Sequence, residues 1–542
     1  MSDINLTQEQ INAIEYPHNM VITACPGSGK TTVITEKIRG DILELIEYQG
    51  VIGITFTVKA STELKAKVKK NAFNIKNSFF GTIDHFCLSE IIYPFIRRVY
   101  DGVASELECI SINDIDDSTK VELLHQFNCS GIDTLKSNAV AISEYYSKKG
   151  VIFLELIGDL ALHVISSSSS CVKYLKARYK CVYIDEYQDS SLEQHSLFKI
   201  LVTEVGLKGV VVGDINQSIY EWRGSDSRYI LELIESKQFQ HFTVSLNHRC
   251  HNSITNYSNK SLNNNCNIED CDEKRVYKTC VNGTQYDVSK RISELVTGLV
   301  ANSKVDKLGD IAILVRNNSS LNYFEGHLEH SHIIYKDNPL LNKNTFTSKL
   351  FSLIISYKLS GDTLITDILS YISNQITLSP AEVKDIKCRL RSIKSANDED
   401  WQELTIELVT LIQKNNLSES EIDVFRRASN DNNILSQYIS NNDSIQIMTL
   451  HKSKGLEFKI VFLLDLYDWI FPKREFVSGV YEPIFENYLQ DLNLHYVGIT
   501  RAEEYCILMT STQRYNGVGE LKQARPSQFL DIQGLNELRT NF

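Results

Sequence analysis

The stretch Met20-Val-Ile-Thr-Ala-Cys-Pro-Gly-Ser-Gly-Lys-Thr-Thr-Val-Ile34 decides the fold. A β-rich apolar run, Met20 to Thr23, leads into a glycine-bearing turn and then into an apolar helical start at Val33-Ile34. Such a turn lets backbone N–H groups close around a phosphate at a helix N-terminus. Ala24, Pro26, Gly27, Ser28 and Gly29 form the cradle, Lys30 brings charge to the terminal phosphates, and Thr31 offers a hydroxyl to Mg2+. Ala24 stands where the first glycine of this pattern usually is. A plain tight turn is the bland alternative, but the pattern arises by chance in a chain this long in only roughly 4% of cases.

Further along, the apolar run Val182-Tyr183-Ile184 ends in Asp185-Glu186-Tyr187-Gln188-Asp189. Adjacent acids at the carboxyl end of a buried strand suit triphosphate hydrolysis, where the first holds Mg2+ and the second orients and deprotonates water. Alone the pair reads as a solvated turn; beside the phosphate loop, Asp185 and Glu186 take those two roles. Other candidate strands are Val51 to Thr55, Val210 to Val212, Ile311 to Val315, Ile445 to Thr449, Ile460 to Leu464 and Tyr505 to Met509. They fall before about residue 246 or after about residue 310, and two mainly helical stretches, 87–171 and 341–440, interrupt them. In the second stretch, Ser379-Pro-Ala-Glu382 and Ser418-Glu-Ser-Glu421 have capping-box spacing, and Leu404, Leu408, Leu411 and Ile412 are expected on one buried helical face. The serine run Ser166 to Ser170 reads as a surface loop.

The 542 residues carry a formal charge of -12, so any nucleic-acid site has to be a local basic lining on an acidic body. The start, MSDINLTQEQ, has no signal-peptide pattern, and the best apolar run, Val461 to Phe471, is broken by Asp465 and Asp468. A cytoplasmic protein without membrane contact is expected. The twelve cysteines read as reduced thiols, and Cys250, Cys266, Cys271 and Cys280 match no zinc spacing.

The chain resembles the superfamily 1 DNA helicases of the UvrD, Rep and PcrA type. The matching blocks run in order from Leu6-Thr-Gln-Glu-Gln10 through the phosphate loop, Thr55-Phe-Thr-Val-Lys-Ala60, Gly81-Thr-Ile-Asp-His-Phe86 and the acid pair. They continue through Val212-Gly-Asp-Ile-Asn-Gln-Ser-Ile-Tyr-Glu-Trp-Arg-Gly224, Leu246-Asn-His-Arg249, Ile311-Ala-Ile-Leu-Val-Arg316 and Thr449-Leu-His-Lys-Ser-Lys-Gly-Leu-Glu457 to Tyr496-Val-Gly-Ile-Thr-Arg-Ala502 and Pro526-Ser-Gln-Phe-Leu530. The resemblance implies two RecA-like P-loop domains with parallel α/β sheets, each carrying a mainly helical insertion. Residues 1–86 and 172–246 would form domain 1A and 87–171 its insertion 1B; 247–340 and 441–542 would form domain 2A and 341–440 the short insertion 2B.

It also implies roles. Gln10 would read adenine by paired donor and acceptor, favouring ATP. Gln217 would sense the γ-phosphate, and Arg249 and Arg501 would reach it as the domains close. Gly455 and Glu457 belong to the nucleotide set. Phe56, Tyr220 and Trp222 would stack single-strand bases, each worth roughly 1–3 kcal/mol; Arg223, Thr57, Thr449 and His451 would meet phosphate or sugar. Lys59, Lys65, Lys67, Lys69, Lys70 and Lys76, opposed only by Glu63, would add a local basic run from Lys59 onward. The activity implied is ATP-dependent, 3'–5' movement on single-stranded or tailed duplex DNA with unwinding. A rival reading makes the chain a DNA-end and nucleotide sensor that regulates a nuclease. Two departures bear on this. The family sandwiches adenine between an arginine and a tyrosine, where this chain has Thr32 and His248, which weakens the expected base grip. The chain ends about forty residues after the last arginine motif, so any nuclease is expected to be a separate subunit, as in compact UvrD-like proteins beside nucleases in Gabija-type antiphage systems.

Overall fold

A computed structural model describes residues 6–542 except 113, 114, 116, 222, 223, 343, 344, 362, 374, 375, 377, 399, 415, 416, 440–442, 478, 480, 481 and 517. The chain divides into two compact units, Met1–Cys250 and His251–Phe542.

The first unit is built on a six-stranded sheet in the order Phe79–Gly81, Gly50–Ile54, Tyr179–Ile184, Lys208–Gly213, Met20–Ala24, Gln240–Val244. Every pairing is parallel. Alternate residues sort to opposite faces. Val21, Ile52, Val182 and Val211 pack on one side with Phe86, Leu160, Leu197 and Phe198. Met20, Ile22, Val51, Tyr183, Val210 and Val212 pack on the other with Val33, Ile34 and Ile38 of helix Lys30–Leu43. Helices cover both faces, which is why these strands read as continuous apolar runs rather than as alternating ones. Ligand-binding groups can then emerge only at the carboxyl ends of the strands.

The first insertion leaves the sheet through a π-helical turn, Cys87–Ile92, and returns through helix Ser169–Arg178. Arg178 closes that junction with a 3.0 Å ion pair to buried Glu90. A short parallel pair, Glu108–Ile110 with Val151–Phe153, joins the helices around Leu123, Ile142, Tyr146 and Leu156. The serine run is not a loop. Helix Ile157–Ser167 ends and Ser169–Arg178 begins with one residue between them, because buried Ser168 caps the second helix by accepting from Cys171 N at 3.3 Å.

The second unit has a seven-stranded sheet, also parallel at every pairing, in the order His332–Ile334, Ile445–Thr449, Ile311–Val315, Phe458–Leu463, Ala502–Ser511, Val276–Val281, Thr540–Asn541. Its helical insertion includes Phe346–Leu359, Pro380–Ser395, Trp401–Ile412 and Glu419–Asn430 around Phe351, Leu390, Leu408 and Phe425. Both capping boxes form as spaced: Ser379 Oγ accepts from Glu382 N at 3.3 Å while Ser379 N donates to Glu382 at 2.7 Å, and Ser418 with Glu421 repeats the pattern. One expected core residue turns out. Leu411 is 46% exposed, because the buried face of its helix runs through Trp401, Thr405, Leu408 and Ile412, and adjacent residues lie about 100° apart around the axis.

His495, on helix Tyr488–Ile499, is fully buried against Phe471 and Phe529, and neither ring nitrogen has a partner among the described residues. Burial holds its imidazole neutral, down from 6.5 to about 3. Because the folded value is depressed, the unfolded chain takes up a proton below pH 6.5 that the folded chain refuses, so this residue's contribution is intact above that value and is lost as pH falls. The slope is at most about 1.4 kcal/mol per pH unit. We expect His495→Phe to flatten the fall of Tm between neutral pH and pH about 5; a wild-type and variant Tm that fall in parallel would contradict it.

Candidate nucleotide site and DNA track

Strand Met20–Ala24 delivers the phosphate loop to the carboxyl edge of the first sheet, and Gly29 starts the helix that follows. Gly27 and Gly29 have φ of 71° and 80°, a conformation that a β-carbon penalises. Space forbids side chains as well. A Cβ on Gly27 would lie 2.4 Å from Arg249 Cβ and from Asn247 Oδ1, and one on Gly29 would lie 2.8 Å from Gln10 Nε2. Lys30 Nζ is buried with no hydrogen-bond partner among the described residues. A buried ammonium left without acceptors is costly unless an anion supplies them, so the donor set fits a polyphosphate.

Acids surround this cation. Asp185 sits at the end of strand Tyr179–Ile184 with its N–H bonded to Ile54 O at 3.0 Å. Desolvation, with Glu186 beside it, pushes its carboxyl up to about 6, and Lys30 pulls the other way. Asp214, closing strand Lys208–Gly213, is likewise raised by burial against the pull of Lys30. Thr31 opens the helix after Lys30, which leaves Thr31 and Asp185 as the pair suited to a hard divalent cation. Glu186 has φ of 54°, left-handed for a residue with a β-carbon, and its carboxylate accepts from Gln188 Nε2 at 2.5 Å. Gln188 Oε1 accepts from Asp214 N at 3.0 Å, and Asp214 accepts from Gln217 Nε2 at 2.7 Å. Cys25, in the loop itself, donates to Ser245 O at 3.0 Å, and burial pushes its thiol up to about 11, so it stays protonated.

Gln10 is buried and doubly engaged. Its Oε1 accepts from Thr7 N at 2.9 Å, completing a capping box, and its Nε2 donates to Ser28 O at 2.9 Å. It therefore braces the phosphate loop. Thr32 bonds through its backbone to Gly29 O at 2.9 Å. His248 N donates to Gly27 O at 3.0 Å and Asn247 Oδ1 accepts from Arg249 N at 2.8 Å, and these residues fall in the first unit, Met1–Cys250. His248 is exposed there and Arg249 half-buried.

Phe56 and Tyr220 stack on each other, with ring centroids 5.4 Å apart and planes 13° apart. Thr57 Oγ1 caps helix Val58–Lys69, accepting from Ala60 N at 3.1 Å. Lys59, Lys65, Lys67, Lys69 and Lys70 are exposed, whereas Lys76 donates to Leu45 O and is withdrawn from that face. Trp222 and Arg223 lie outside the described residues. In the second unit, Thr449 ends strand Ile445–Thr449 and is buried, His451 follows it half-buried, Gly455 has φ of 83°, and Glu457 is exposed just before strand Phe458–Leu463. Arg501 is buried, donating to Val497 O at 3.1 Å and Leu456 O at 3.0 Å. Sequence reasoning gave no role to Asn247, Gln188 or Asp214. Each stands inside a motif already singled out, but only the fold brings them to the loop and to Glu186.

Two parallel α/β units, a phosphate loop with a buried lysine and an acid pair on the neighbouring strand define a P-loop nucleoside triphosphatase. Comparison with known families narrows this. The UvrD/REP helicase N-terminal domain matches residues 6–149 and 126–240, and the UvrD-like helicase C-terminal domain matches 370–513. The chain belongs to the UvrD-like helicases. It is 28% identical to Gabija protein GajB of Bacillus cereus (strain VD045) over 520 residues, 94% of this chain and 96% of that one. It is 25% identical to ATP-dependent DNA helicase Rep of Escherichia coli (strain K12), covering 97% and 94%, and 23% identical to ATP-dependent DNA helicase PcrA of Bacillus subtilis (strain 168), covering 95% and 83%.

Gly27→Ala is expected to lose at least about 1–2 kcal/mol of stability from its left-handed φ alone and to weaken nucleotide binding, since the loop, Asn247 and Arg249 must separate. Thermal denaturation with and without an ATP analogue measures both; unchanged nucleotide affinity would contradict the packing argument.

Proposed function

We propose that this protein is an ATP-driven motor that moves 3'–5' along single-stranded DNA and separates the duplex ahead of it. The observation that carries the reading is the buried Lys30 ammonium, without a partner among the described residues, at the head of a helix beside Asp185 and Glu186. Lys30 and the loop N–H groups bind the β- and γ-phosphates. Mg2+, held by Thr31 and Asp185, would neutralise charge developing on the transferred phosphoryl group. Glu186 positions the attacking water and takes its proton. Gln217 follows the γ-phosphate, and Arg249 and Arg501 are the cations assigned to it, alongside Gly455 and Glu457 in the nucleotide set. Gln10 faces adenine by extending the hydrogen-bond capacity its side chain already uses to hold the loop.

DNA lies along the exposed lysines of helix Val58–Lys69 and the Phe56–Tyr220 ring pair, continuing to Trp222 and Arg223, with Thr57, Thr449 and His451 on phosphate or sugar. Stacking is sequence-tolerant and the lysine face is salt-sensitive. Among the described residues no helix is long and apolar enough to cross a membrane; the likeness to DNA helicases Rep and PcrA supports a cytoplasmic setting. Likeness to the Gabija protein supports an antiphage context with a separate nuclease subunit as partner.

Glu186→Gln should bind ATP with near-normal affinity yet hydrolyse it at least about a hundredfold more slowly, the lower end of the range for loss of a general base; near-normal turnover would refute the mechanism. Strand displacement on tailed duplexes is expected to need ATP and a 3' tail. ATPase without displacement would favour the sensor reading instead. Trp222→Ala should weaken single-strand affinity by about 1–3 kcal/mol while basal ATPase persists, and an unchanged affinity would remove it from the track.

A further inference from the structure

We infer that Gln188 is a positioning residue that fixes the Glu186 carboxylate relative to the Asp214–Gln217 segment. The inference rests on the reading of this site as a triphosphate-hydrolysing one, and it assigns the amide a task that neither the acid pair nor the phosphate loop performs.

Gln188 follows Glu186 by two residues and is fully buried. Its side-chain amide is spanned between two strand ends: Nε2 donates to Glu186 Oε2 at 2.5 Å and Oε1 accepts from Asp214 N at 3.0 Å. Chemistry fixes the orientation. An ionised carboxylate can only accept and a peptide N–H can only donate, so the amide nitrogen must face Glu186 and the amide oxygen Asp214. Neither a carboxylate nor an apolar side chain at 188 could satisfy both. The backbone holds the same junction, because Gln188 O accepts from Ser218 Oγ at 3.3 Å.

Two backbone features show how closely this junction is built. Glu186 sits at φ of 54°, so its side chain leaves the strand in a direction that ordinary extended backbone would not give and needs an external hold. Gly213 is the residue before Asp214, and a β-carbon there would stand 2.6 Å from Gln188 Oε1. The amide occupies the place of that missing side chain. On the far side, Asp214 Oδ1 accepts from Asn216 N at 3.0 Å and Oδ2 from Gln217 Nε2 at 2.7 Å. A shift of Gln217 therefore reaches Glu186 through one carboxylate, one peptide N–H and one amide, and the same segment leads on to Tyr220, whose ring stacks on Phe56.

A base that orients water must be placed within a fraction of an ångström, so releasing the amide should lower turnover more than binding. The test uses the full chain, steady-state ATP hydrolysis with and without oligo-dT, affinity for a fluorescent ATP analogue, and Tm. Gln188→Met removes both hydrogen bonds at similar volume; Gly213→Ala keeps the amide but displaces it. Both are expected to lower kcat by about tenfold to a hundredfold and to reduce the stimulation by oligo-dT, while KM and analogue affinity stay within about twofold. A folded Gln188→Met with kcat within about twofold of wild type overturns the inference, and so do losses in which KM, Tm and kcat move together, which mark a structural stitch. If Gln188→Met does not fold, Gly213→Ala decides by the same criteria, and failure of both to fold also marks a structural role. Glu186→Gln separates the two levels. Persisting turnover in it would fell the hydrolytic reading itself, whereas an inactive Glu186→Gln beside normal Gln188→Met and Gly213→Ala fells only the role of Gln188.

Discussion

A parallel sheet whose two faces are both buried leaves polar chemistry nowhere to go but the strand ends, and this constraint shapes the first unit. Val21 and Ile22 point to opposite cores, as do Val182 and Tyr183, and Val211 and Val212. The next residues along these three strands are the phosphate loop, Asp185 and Asp214. Lys30, Asp185 and Asp214 thus gather at one edge without any of them being close in sequence. The gathering has an electrostatic consequence. Burial raises both carboxyls and Lys30 draws both down, so the cation and the acids limit each other's desolvation before any phosphate adds its charge.

The loop itself is held from three directions. Gln10 reaches Ser28 O from a capped helix, His248 N reaches Gly27 O from beyond strand Gln240–Val244, and Ser245 O takes the Cys25 thiol. Ser245 is in turn bound through its N–H to Glu9 at 2.8 Å, so the first helix and the last strand of the sheet brace each other around the loop. Glycines at 27 and 29 are then required twice, by their φ and by the neighbours that crowd them. The stretch can keep so few side chains because backbone and amide groups do its work.

Much of this was legible in the sequence. The phosphate loop, the acid pair and the two capping boxes are local patterns with a fixed spacing, and local spacing is what a sequence carries openly. Strands buried on both faces, such as Ile311–Val315, were readable as apolar runs. Val276–Val281 and His332–Ile334 were not, because each is short or half-exposed and carries Lys278, Cys280 or His332 among its residues. Leu411 and the serine run failed for another reason: helical phase and a single-residue cap are settled by packing, not by composition. Nor does anything in Leu246-Asn-His-Arg249 say that the His248 N–H closes on Gly27.

The residues that escaped sequence reasoning at the site share one property. Gln188, Asp214 and Asn247 each accept from a peptide N–H, and two of them also take or give a side-chain hydrogen bond. Their task is relative placement, which has no chemistry of its own to betray it. The acid pair advertises itself by two adjacent charges after an apolar strand; a single acid such as Asp214, or an amide, shows its task only in the fold. Glu186 shows why the second kind is needed. Its left-handed backbone raises the local energy, and a strained residue keeps one conformation only where surrounding contacts determine it. The bond from Gln188, the Asp185 Oδ1 that accepts from Glu186 N at 2.9 Å, and the turn Tyr187–Asp189 supply that determination and hold the Glu186 carboxylate in one place.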